Sequence, residues 1–262
     1  MILSDFHIHT TYCDGKSTAE EVVRAAIECG LKTIGFSGHG FTEFDDSYCM
    51  TREATEKYRA SIGALKKTYQ NDIRILCGVE QEYHAGKPIA EFDYVIGSCH
   101  YLLMEDGSFS PIDESAEILS ACIRDGFGGD IYAAAESYFR CVGDVVEKTG
   151  ADIIGHIDLI SKFSEIGCPL DFTHPRYRRA YTDAIDRLIP YGKPFEINTG
   201  AISRGYRTIP YPAMPIMRYI ASQGGAIIFS SDCHTADNIA FQFDVWEPVY
   251  RAFGTRVLEC PI

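Results

Sequence analysis

Short apolar runs alternate with longer amphipathic stretches along nearly the whole chain. Seven runs rich in Ile, Val and Phe have the length and composition of buried strands. They are Ile2–Ile8, Thr33–Ser37, Ile73–Glu80, Tyr94–Ser98, Asp152–His156, Pro194–Asn198 and Ala226–Ser231. Because strands separated by helices are joined as parallel βα units, this rhythm predicts an α/β fold. Seven units without an intervening linker predict one domain with a closed or nearly closed barrel.

Three stretches between the strands predict helices with recognisable ends. Ser17 and Glu20 have the spacing of a capping box, which predicts a helix that begins there and ends at Gly30. A second helix is predicted over Ile131–Thr149 and ends at Gly150. A third is predicted over Tyr177–Ile189, where one face carries Tyr177, Tyr181, Ala184, Ile185 and Leu188.

The interval Phe41–Asn71 is longer than a crossover between barrel strands requires. It begins with the acidic and aromatic run FTEFDDSY and continues as a helical pattern that includes Lys66 and Lys67. Two interpretations remain open at this stage. The interval 41–71 is either a solvated surface insertion or a flap over the mouth of the barrel, since the loops that follow barrel strands carry specificity.

The charge and the composition of the chain exclude several classes of binding partner. The chain of 262 residues has 24 Lys and Arg against 37 Asp and Glu, a net charge of −13, which argues against long nucleic acids or an anionic membrane surface. A small anionic substrate remains compatible, because bound metal ions reverse the local field. No apolar stretch approaches the roughly 20 residues of a membrane span, and no signal sequence is recognisable. Ten cysteines without a CxxC pair predict reduced, mostly buried thiols and a cytoplasmic location.

Side chains that bind metals stand at the carboxyl ends of the predicted strands. Six of the 8 histidines and three carboxylates occupy these positions, namely His7, His9, Asp14, His39, Glu80, His100, His156, Asp232 and His234. Because side chains alternate along a strand, His7 and His9 point to the same face, and so do Asp232 and His234. Buried charges are costly unless they are paired or bound to metal, so the set predicts a shared metal centre.

The donor types also indicate which metals would bind. Mixed imidazole and carboxylate ligands suit Zn²⁺, Fe²⁺ or Mn²⁺. Nine donors exceed the needs of one ion, which predicts two or three ions in an arrangement that suits phosphoester hydrolysis. Cys99 adjoins His100 but is expected to face elsewhere, so thiolate ligation is not predicted. His84 and His174 lie outside the pattern and are expected to be ordinary structural or surface residues.

Seven segments that carry these donors resemble the PHP superfamily (polymerase and histidinol phosphatase) and, within it, the histidinol-phosphatases. The segments are DFHIHTTYCDG, FSGHG, GVEQEY, FDYVIGSCHYL, IIGHIDLISKF, FEINTGAISRG and SSDCHT. They extend from residue 5 to residue 235. The resemblance implies a distorted, TIM-like (β/α)7 barrel in a single PHP domain over residues 1–262, with a trinuclear metal site at the C-terminal ends of the strands.

The resemblance further implies three groups of metal ligands that share Glu80. The first group is His7, His9, Glu80 and Asp232. The second group is Glu80, His100 and His156. The third group is Asp14, His39 and His234, and histidine also occurs in the family at the position of Asp14.

Candidate substrate-binding and catalytic residues lie among the same segments. Lys162 stands where an arginine is a common phosphate ligand in the family, and Arg204 follows EINTGAIS, so both are expected to bind phosphate. Glu196 is expected to orient a metal-binding histidine. Asp232 and His234 are alternative proton donors to the leaving group. The ammonium and imidazole of the substrate would meet acidic or aromatic side chains of the flap, with Glu43, Asp45, Asp46 and Tyr48 as candidates.

The implied activity is hydrolysis of L-histidinol phosphate to L-histidinol and phosphate, a step of histidine biosynthesis, by attack of a metal-bridging hydroxide. One alternative is a PHP phosphoesterase that acts on nucleotides or other small phosphate esters. A further alternative is a catalytically silent PHP module, although every expected ligand position holds a competent donor. The sequence leaves the oligomeric state open.

Overall fold

A computed structural model describes residues 1–262 of the protein. The strands are β1 (Ser4–Asp5), β2 (Thr33–Phe36), β3 (Arg74–Cys77), β4 (Val79–Glu82), β5 (Val95–Ser98), β6 (Tyr101–Leu103), β7 (Phe109–Pro111), β8 (Ile153–Ile154), β9 (Phe195–Asn198), β10 (Ile227–Ser230) and β11 (Val257–Leu258). The α-helices are α1 (Ala19–Glu28), α2 (Arg52–Thr68), α3 (Ala116–Phe127), α4 (Ile131–Val142), α5 (Val145–Thr149), α6 (Pro175–Leu188), α7 (Gly200–Ser203), α8 (Met214–Ser222) and α9 (Phe243–Arg251). Short 3-10 turns cover Tyr83–Ala85, Leu159–Ser161, Ile189–Tyr191 and Ala236–Asn238.

Two sheets contain only parallel strand pairs. One has the order β1-β2-β3, and the other has the order β11-β10-β9-β8-β5-β4. Strands β6 and β7 form a separate antiparallel hairpin. Helices connect most of the consecutive parallel strands, with β4 and β5 as an exception, so the predicted α/β fold with parallel βα units is confirmed.

Isolated bridges join the two parallel sheets at the carboxyl ends of their strands. Ile8, just after β1, pairs with Cys233, just after β10. On the other side, His39, just after β2, pairs with Glu80 of β4, and the amide of Gly40 donates to the Glu80 carbonyl at 2.8 Å. Both bridges are parallel, so the ends of β1, β2, β4 and β10 converge on one region.

Two predicted strands are shorter or divided. Only Ser4–Asp5 of the predicted strand Ile2–Ile8 forms ladder pairs. The buried Asp5 carboxylate accepts the amide of Ser231 at 3.0 Å, which ties this end of the strand to the chain after β10. The predicted strand Ile73–Glu80 is divided at Gly78 between the two sheets.

Two tyrosines explain the division at Gly78. The hydroxyl of Tyr58 donates to the Gly78 carbonyl at 2.9 Å, which removes that carbonyl from the ladder. The ring of Tyr94 fills the space in which a side chain at position 78 would lie. Neither contact can be read from the apolar pattern of the strand itself.

The helix termini differ from prediction in two places. The capping box uses Thr18 and Glu21, one residue later than predicted, because the Ser17 hydroxyl instead accepts the amide of Ala236 at 3.0 Å. The helix predicted over 131–149 is divided between α4 and α5, where Gly143 packs closely against α6. The predicted helix ends are confirmed, since Gly30 and Gly150 lie directly beyond the last turns of α1 and α5, and both glycines are left-handed, with φ of 80° and 77°. All five predicted core residues of α6 are buried.

The interval 41–71 contains two different structures. Residues 52–68 form α2, which packs against β3 and buries Thr55, Tyr58 and Ile62, so this part is a crossover helix of the α/β fold. Residues 41–51 form a loop above the strand ends. The flap prediction therefore concerns this loop alone. No helix of the protein combines the length and apolarity that crossing a bilayer requires.

Candidate metal centre and active site

The nine predicted metal ligands gather around one cleft, which has a volume of about 590 Å³. Seven of them line it, namely Asp14, His39, Glu80, His100, His156, Asp232 and His234. His7 and His9 lie behind these residues and are buried. Their convergence follows from the topology, because parallel strands β1, β2, β4, β5, β8 and β10 all end at this side of the sheets.

Glu80 is the centre of the group, and five imidazoles surround its carboxylate, those of His7, His9, His39, His100 and His156. Glu80 Oε2 lies 3.1 Å from His7 Nε2 and 3.5 Å from His9 Nε2. Glu80 Oε1 lies 2.9 Å from His156 Nε2 and 3.2 Å from His100 Nε2. Glu80 Oε1 therefore faces two histidines, whereas Oε2 faces three, because His39 Nδ1 also lies 3.0 Å from it.

Asp232 lies beside the first pair. Its Oδ1 is 3.3 Å from His9 Nε2 and 3.9 Å from His7 Nε2. Its Oδ2 accepts Arg204 Nη2 at 2.9 Å and Asn198 Nδ2 at 3.2 Å. One oxygen thus faces the imidazoles while the other is fixed by hydrogen bonds.

A third group lies nearer the mouth of the cleft. Asp14 Oδ2 is 3.0 Å from His234 Nε2 and 3.7 Å from His39 Nε2. The other ring nitrogen of His39, Nδ1, is 3.0 Å from Glu80 Oε2. His39 consequently stands between the outer group and the Glu80 group.

The inner donors fit a cation. His7 Nε2, His9 Nε2 and Glu80 Oε2 are buried and make no hydrogen bond of acceptable geometry, although each nitrogen lies within 3.5 Å of the oxygen. Buried polar atoms without partners are costly, and one ion between them would satisfy all three. These three donors form one of the clusters with metal-ligand spacing, and His39, Glu80 and His100 form another.

The electrostatics keep the carboxylates ionised. Burial by itself raises the pKa of Glu80, but the adjacent His7 and His39 hold that pKa well below its usual value. In the same way Arg204 outweighs burial and holds the pKa of Asp232 well below its usual value. Burial, together with nearby His234 and His39, lowers the pKa of His9 to about 3. Ionised carboxylates and a neutral imidazole are the forms that bind metals.

Glu196 makes the contacts that its predicted orienting role requires. Its Oε1 lies 2.6 Å from His7 Nδ1, and both side chains are fully buried. Its Oε2 accepts the amide of His156 at 2.7 Å and Asn198 Nδ2 at 3.1 Å. Glu196 therefore contacts the backbone or the ring of two predicted ligands.

Glu82 performs a matching function for His100, and the sequence analysis missed it. Glu82 Oε2 accepts the amide of His100 at 2.8 Å and lies 3.0 Å from its Nδ1. The spacing of two residues from Glu80 was the available signal, because both side chains then share one face of a strand. The predicted strand ended at Glu80, so the signal was not used.

The two predicted phosphate-binding cations both line the cleft. Arg204 Nη1 donates to the Asp232 carbonyl at 2.9 Å and lies 3.0 Å from His234 Nδ1. Lys162 Nζ donates to the carbonyl of Asp113 at 2.6 Å. The contact of Asp113 with Lys162 was not predicted from the sequence. Asp113 comes two residues after the β6–β7 hairpin, in a segment without a recognisable motif.

The remaining predicted residues are divided between the cleft and the surface. Of the four flap candidates, Asp45 and Tyr48 line the cleft, whereas Glu43 and Asp46 are exposed outside it. The hydroxyl of Tyr101 donates to Asp45 Oδ2 at 2.7 Å. As expected, His174 is structural, since it caps the N-terminus of α6 and stacks on a tyrosine ring.

The side chains that line the cleft carry a surplus of negative charge, which limits the ligands that can bind there. Six carboxylates line it, those of Asp14, Asp45, Glu80, Asp113, Glu114 and Asp232. Three cations line it, those of Lys16, Lys162 and Arg204. An anionic substrate would be repelled by this surplus of negative charge unless metal ions were bound.

The chain belongs to the PHP domain family, whose model matches residues 5–200. This family assignment covers β1 to β9 and therefore most of the strand ends that carry the candidate ligands.

Two curated relatives and one solved structure resemble nearly the whole chain. A probable histidinol-phosphatase from Deinococcus radiodurans is 27% identical over 267 residues, covering 98% of this chain and 95% of the relative. The histidinol-phosphatase of Bacillus subtilis is 26% identical over 275 residues, covering 92% of this chain and 97% of the relative. A crystal structure of histidinol phosphate phosphatase from Lactococcus lactis, complexed with zinc, L-histidinol and phosphate, has a TM-score of 0.73 at 19% identity and covers 97% of this chain and 95% of that chain.

Proposed function

We propose that the protein is a metal-dependent phosphomonoesterase that hydrolyses L-histidinol phosphate to L-histidinol and phosphate. The observation that carries the proposal is the group of imidazoles and carboxylates around Glu80, in a cleft that also holds Arg204 and Lys162. Family membership and the names of the full-length relatives point to the same activity.

We also propose that the two sheets together form a barrel. The two parallel sheets, joined by bridges between Ile8 and Cys233 and between His39 and Glu80, are consistent with a distorted (β/α)7 barrel. In such a barrel the catalytic residues stand at the carboxyl ends of the strands. The proposed centre occupies that side.

The residues fit two or three divalent ions of zinc, iron or manganese. His7, His9, Glu80 and Asp232 would hold the first ion, and Glu80, His100 and His156 the second. Asp14, His39 and His234 would hold a third. Ions of this kind supply Lewis-acid stabilisation and an acidic water at neutral pH. The zinc in the Lactococcus lactis structure supports this choice of metal class.

Arg204 and Lys162 bind the phosphoryl group from the protein side. The guanidinium of Arg204 lies 2.9 Å from Asp232 Oδ2 and keeps free N–H groups for phosphoryl oxygens, to which a planar fork binds well. Lys162 contributes a point charge, held in place by the Asp113 carbonyl. Charge that develops on the phosphoryl oxygens in the transition state is thereby stabilised.

Proton transfer to the leaving alkoxide is assigned to His234 rather than Asp232. Arg204 holds the pKa of Asp232 well below its usual value, so this carboxylate carries no proton to donate, and the Asp232 side chain is only 7% exposed. The His234 side chain is 21% exposed and lines the cleft. A single nitrogen cannot both bind an ion and deliver a proton. With His234 as the acid, the remaining residues would hold two ions; with three ions bound, His234 would be a ligand and the proton would come from another group.

We assign selectivity for histidinol phosphate to acidic and aromatic side chains of the same cleft. Asp45, Tyr48, Tyr101 and Asp113 line it, and they offer carboxylates to an ammonium and aromatic faces to an imidazole. A nucleotide presents no ammonium group to these carboxylates.

A phosphate-release panel on metal-loaded protein tests the function. We expect kcat/KM for L-histidinol phosphate to exceed that for nucleoside monophosphates and for p-nitrophenyl phosphate by at least about tenfold, a difference of about 1.4 kcal/mol. Asp45→Asn should reduce this preference by weakening histidinol phosphate turnover alone, because Asp45 lines the cleft without contacting Arg204 or Lys162. Equal rates on all esters would favour a general PHP phosphoesterase, and no release from any ester by metal-loaded protein would indicate a silent module.

A further inference from the structure

A second group of potential metal ligands lies outside the centre just described. His84, Cys99 and Cys141 each present one ligand atom, and these three atoms lie within 4.8 Å of one another. His84 follows β4 in a 3-10 turn, Cys99 follows β5, and Cys141 is on α4. All ten cysteines are free thiols, so none of these sulfurs is used in a disulfide.

The neighbours of His84 leave one of its ring nitrogens available. His84 Nε2 lies 3.2 Å from the carbonyl oxygen of Tyr101, which favours the tautomer with the proton on Nε2. The lone pair is then on Nδ1. Histidines that bind metals commonly donate their other ring N–H to a backbone carbonyl in this manner.

The sulfur of Cys99 is buried beside the same carbonyl. Cys99 is 2% exposed and its Sγ lies 3.4 Å from the Tyr101 oxygen, whereas Cys141 and His84 are partly exposed. Because Cys141 and His84 are partly exposed, an ion can reach the buried thiol of Cys99 from solvent. A single buried cysteine in a core would offer no such route.

We propose that His84, Cys99 and Cys141 form a further binding site for a soft divalent ion such as Zn²⁺. Two thiolates would neutralise the ion and make its burial inexpensive, and thiolate with imidazole is a ligand set that selects zinc. Ligand atoms around tetrahedral zinc are about 3.5 Å apart. The three ligand atoms lie within 4.8 Å of one another, so the group would contract by at most about 1.3 Å, a movement within the reach of the partly exposed Cys141 and His84. Water completes the fourth position.

The position of this site connects it with the cleft. Cys99 directly precedes His100, and His84 comes two residues after Glu82, whose Oε1 accepts the His84 amide at 3.1 Å. An ion at the site would bind the chain that follows β4, the chain that follows β5 and the outer helix α4 together. It would thereby restrain the contact between Glu82 and His100.

Cobalt spectroscopy tests this site separately from the proposed catalytic centre. The metal-free protein, reduced and then loaded with Co²⁺ alone, should show the near-ultraviolet charge-transfer band of thiolate bound to cobalt. The donors around Glu80 are nitrogen and oxygen only, so they cannot produce this band. Cys141→Ser should lose the band and bind one ion fewer per chain, and His84→Gln should shift or lose it.

A matched control uses the thiol nearest the catalytic centre, because Cys13 Sγ lies 3.6 Å from His9 Nδ1. Cys13→Ser should keep the band. The proposal is overturned if the band is absent from the wild-type protein, if it survives in Cys141→Ser, or if Cys13→Ser abolishes it. Circular dichroism of each variant establishes that the folded protein is being compared, and Cys141→Ala provides a second substitution should Cys141→Ser not fold.

Discussion

Glu196 and His7 form a carboxylate–imidazole pair that is wholly enclosed by protein, with 2.6 Å between Glu196 Oε1 and His7 Nδ1. In the neutral ring, Nδ1 donates to the carboxylate and the lone pair is on Nε2, which faces Glu80 and Asp232. The pair thus sets both the tautomer and the orientation of a proposed metal ligand.

Replacing Glu196 should weaken metal binding without removing a ligand. We expect Glu196→Gln to lower metal affinity about 10–100-fold, because the amide can no longer stabilise the ligand through its charge. Competition with a chromogenic chelator measures the affinity. Excess metal should restore most of the activity. The control is Glu136→Gln, which alters an exposed ion pair with Arg176 and should bind metal normally. An unchanged metal affinity in Glu196→Gln would show that the contact between Glu196 and His7 is only structural.

Glu80 should be far more sensitive than any residue around it. Glu80→Gln keeps the shape of the side chain but removes the charge that faces five histidines, so bound metal should fall by at least one ion per chain. Loss of several kcal/mol of Lewis-acid stabilisation should reduce kcat on the order of 10³-fold. Metal analysis and phosphate release are measured on the same sample. If Glu80→Gln kept both its bound metal and its kcat, Glu80 would not be a shared metal ligand.

Metal removal and reconstitution decide the number of catalytic ions. A strong chelator should abolish phosphatase activity, and Mn²⁺, Fe²⁺ or Zn²⁺ should restore it. Because the cysteine site proposed above binds an ion of its own, catalytic stoichiometry is counted in the Cys141→Ser protein. Two ions would support His234 as the proton donor, and three would support His234 as a ligand. Full activity in demetallated protein would falsify the metal mechanism.

Arg204 should act on the phosphoryl group through the shape of its guanidinium. We expect Arg204→Ala to lower kcat/KM about 10²–10³-fold, in line with the loss of one preorganised donor to the transition state. Arg204→Lys should recover little, because an ammonium cannot form the bidentate contact. Lys16→Ala, which removes another cation of the same cleft, is the matched control. Equal losses of kcat/KM in Arg204→Ala and Lys16→Ala would show that Arg204 contributes only its positive charge and not a specific contact with the phosphoryl group.

Arg207 should affect stability. Its guanidinium is fully buried, lies 3.5 Å from Asp158 Oδ2 and donates to Ser161 Oγ at 2.8 Å. Arg207→Met leaves the Asp158 carboxylate buried without its cation, which should lower the free energy of unfolding by about 3–5 kcal/mol. Urea unfolding of metal-loaded protein measures the change. Arg124→Met, at an exposed pair with Asp125, should cost at most about 1 kcal/mol, and similar costs in both variants would contradict this account.

Local patterns were sufficient for much of the fold. The α/β alternation, the glycine-terminated helices and the inward face of α6 all depend on residues close together in sequence, and the structure agrees with them. Short-range physics governs these features, because helix caps and side-chain periodicity involve neighbours within a few residues.

The convergence of the nine donors was also predictable, although their roles were not. Strand alternation places His7 with His9 and Asp232 with His234, and parallel strands bring their carboxyl ends to one side. Distances such as 2.9 Å between His156 Nε2 and Glu80 Oε1 join residues 76 positions apart, and no local pattern contains them.

The sequence by itself determined which side chains could bind metal and on which side of the sheets they would stand, because composition and alternation are properties of short segments. Only the tertiary structure decided that Gly78 divides a strand, that Glu82 supports His100, that Asp113 holds Lys162, and that His84 meets two cysteines. Each of these features depends on a packing contact between separate elements. Such contacts are set by the closure of the whole fold, which the preferences of a single segment do not encode.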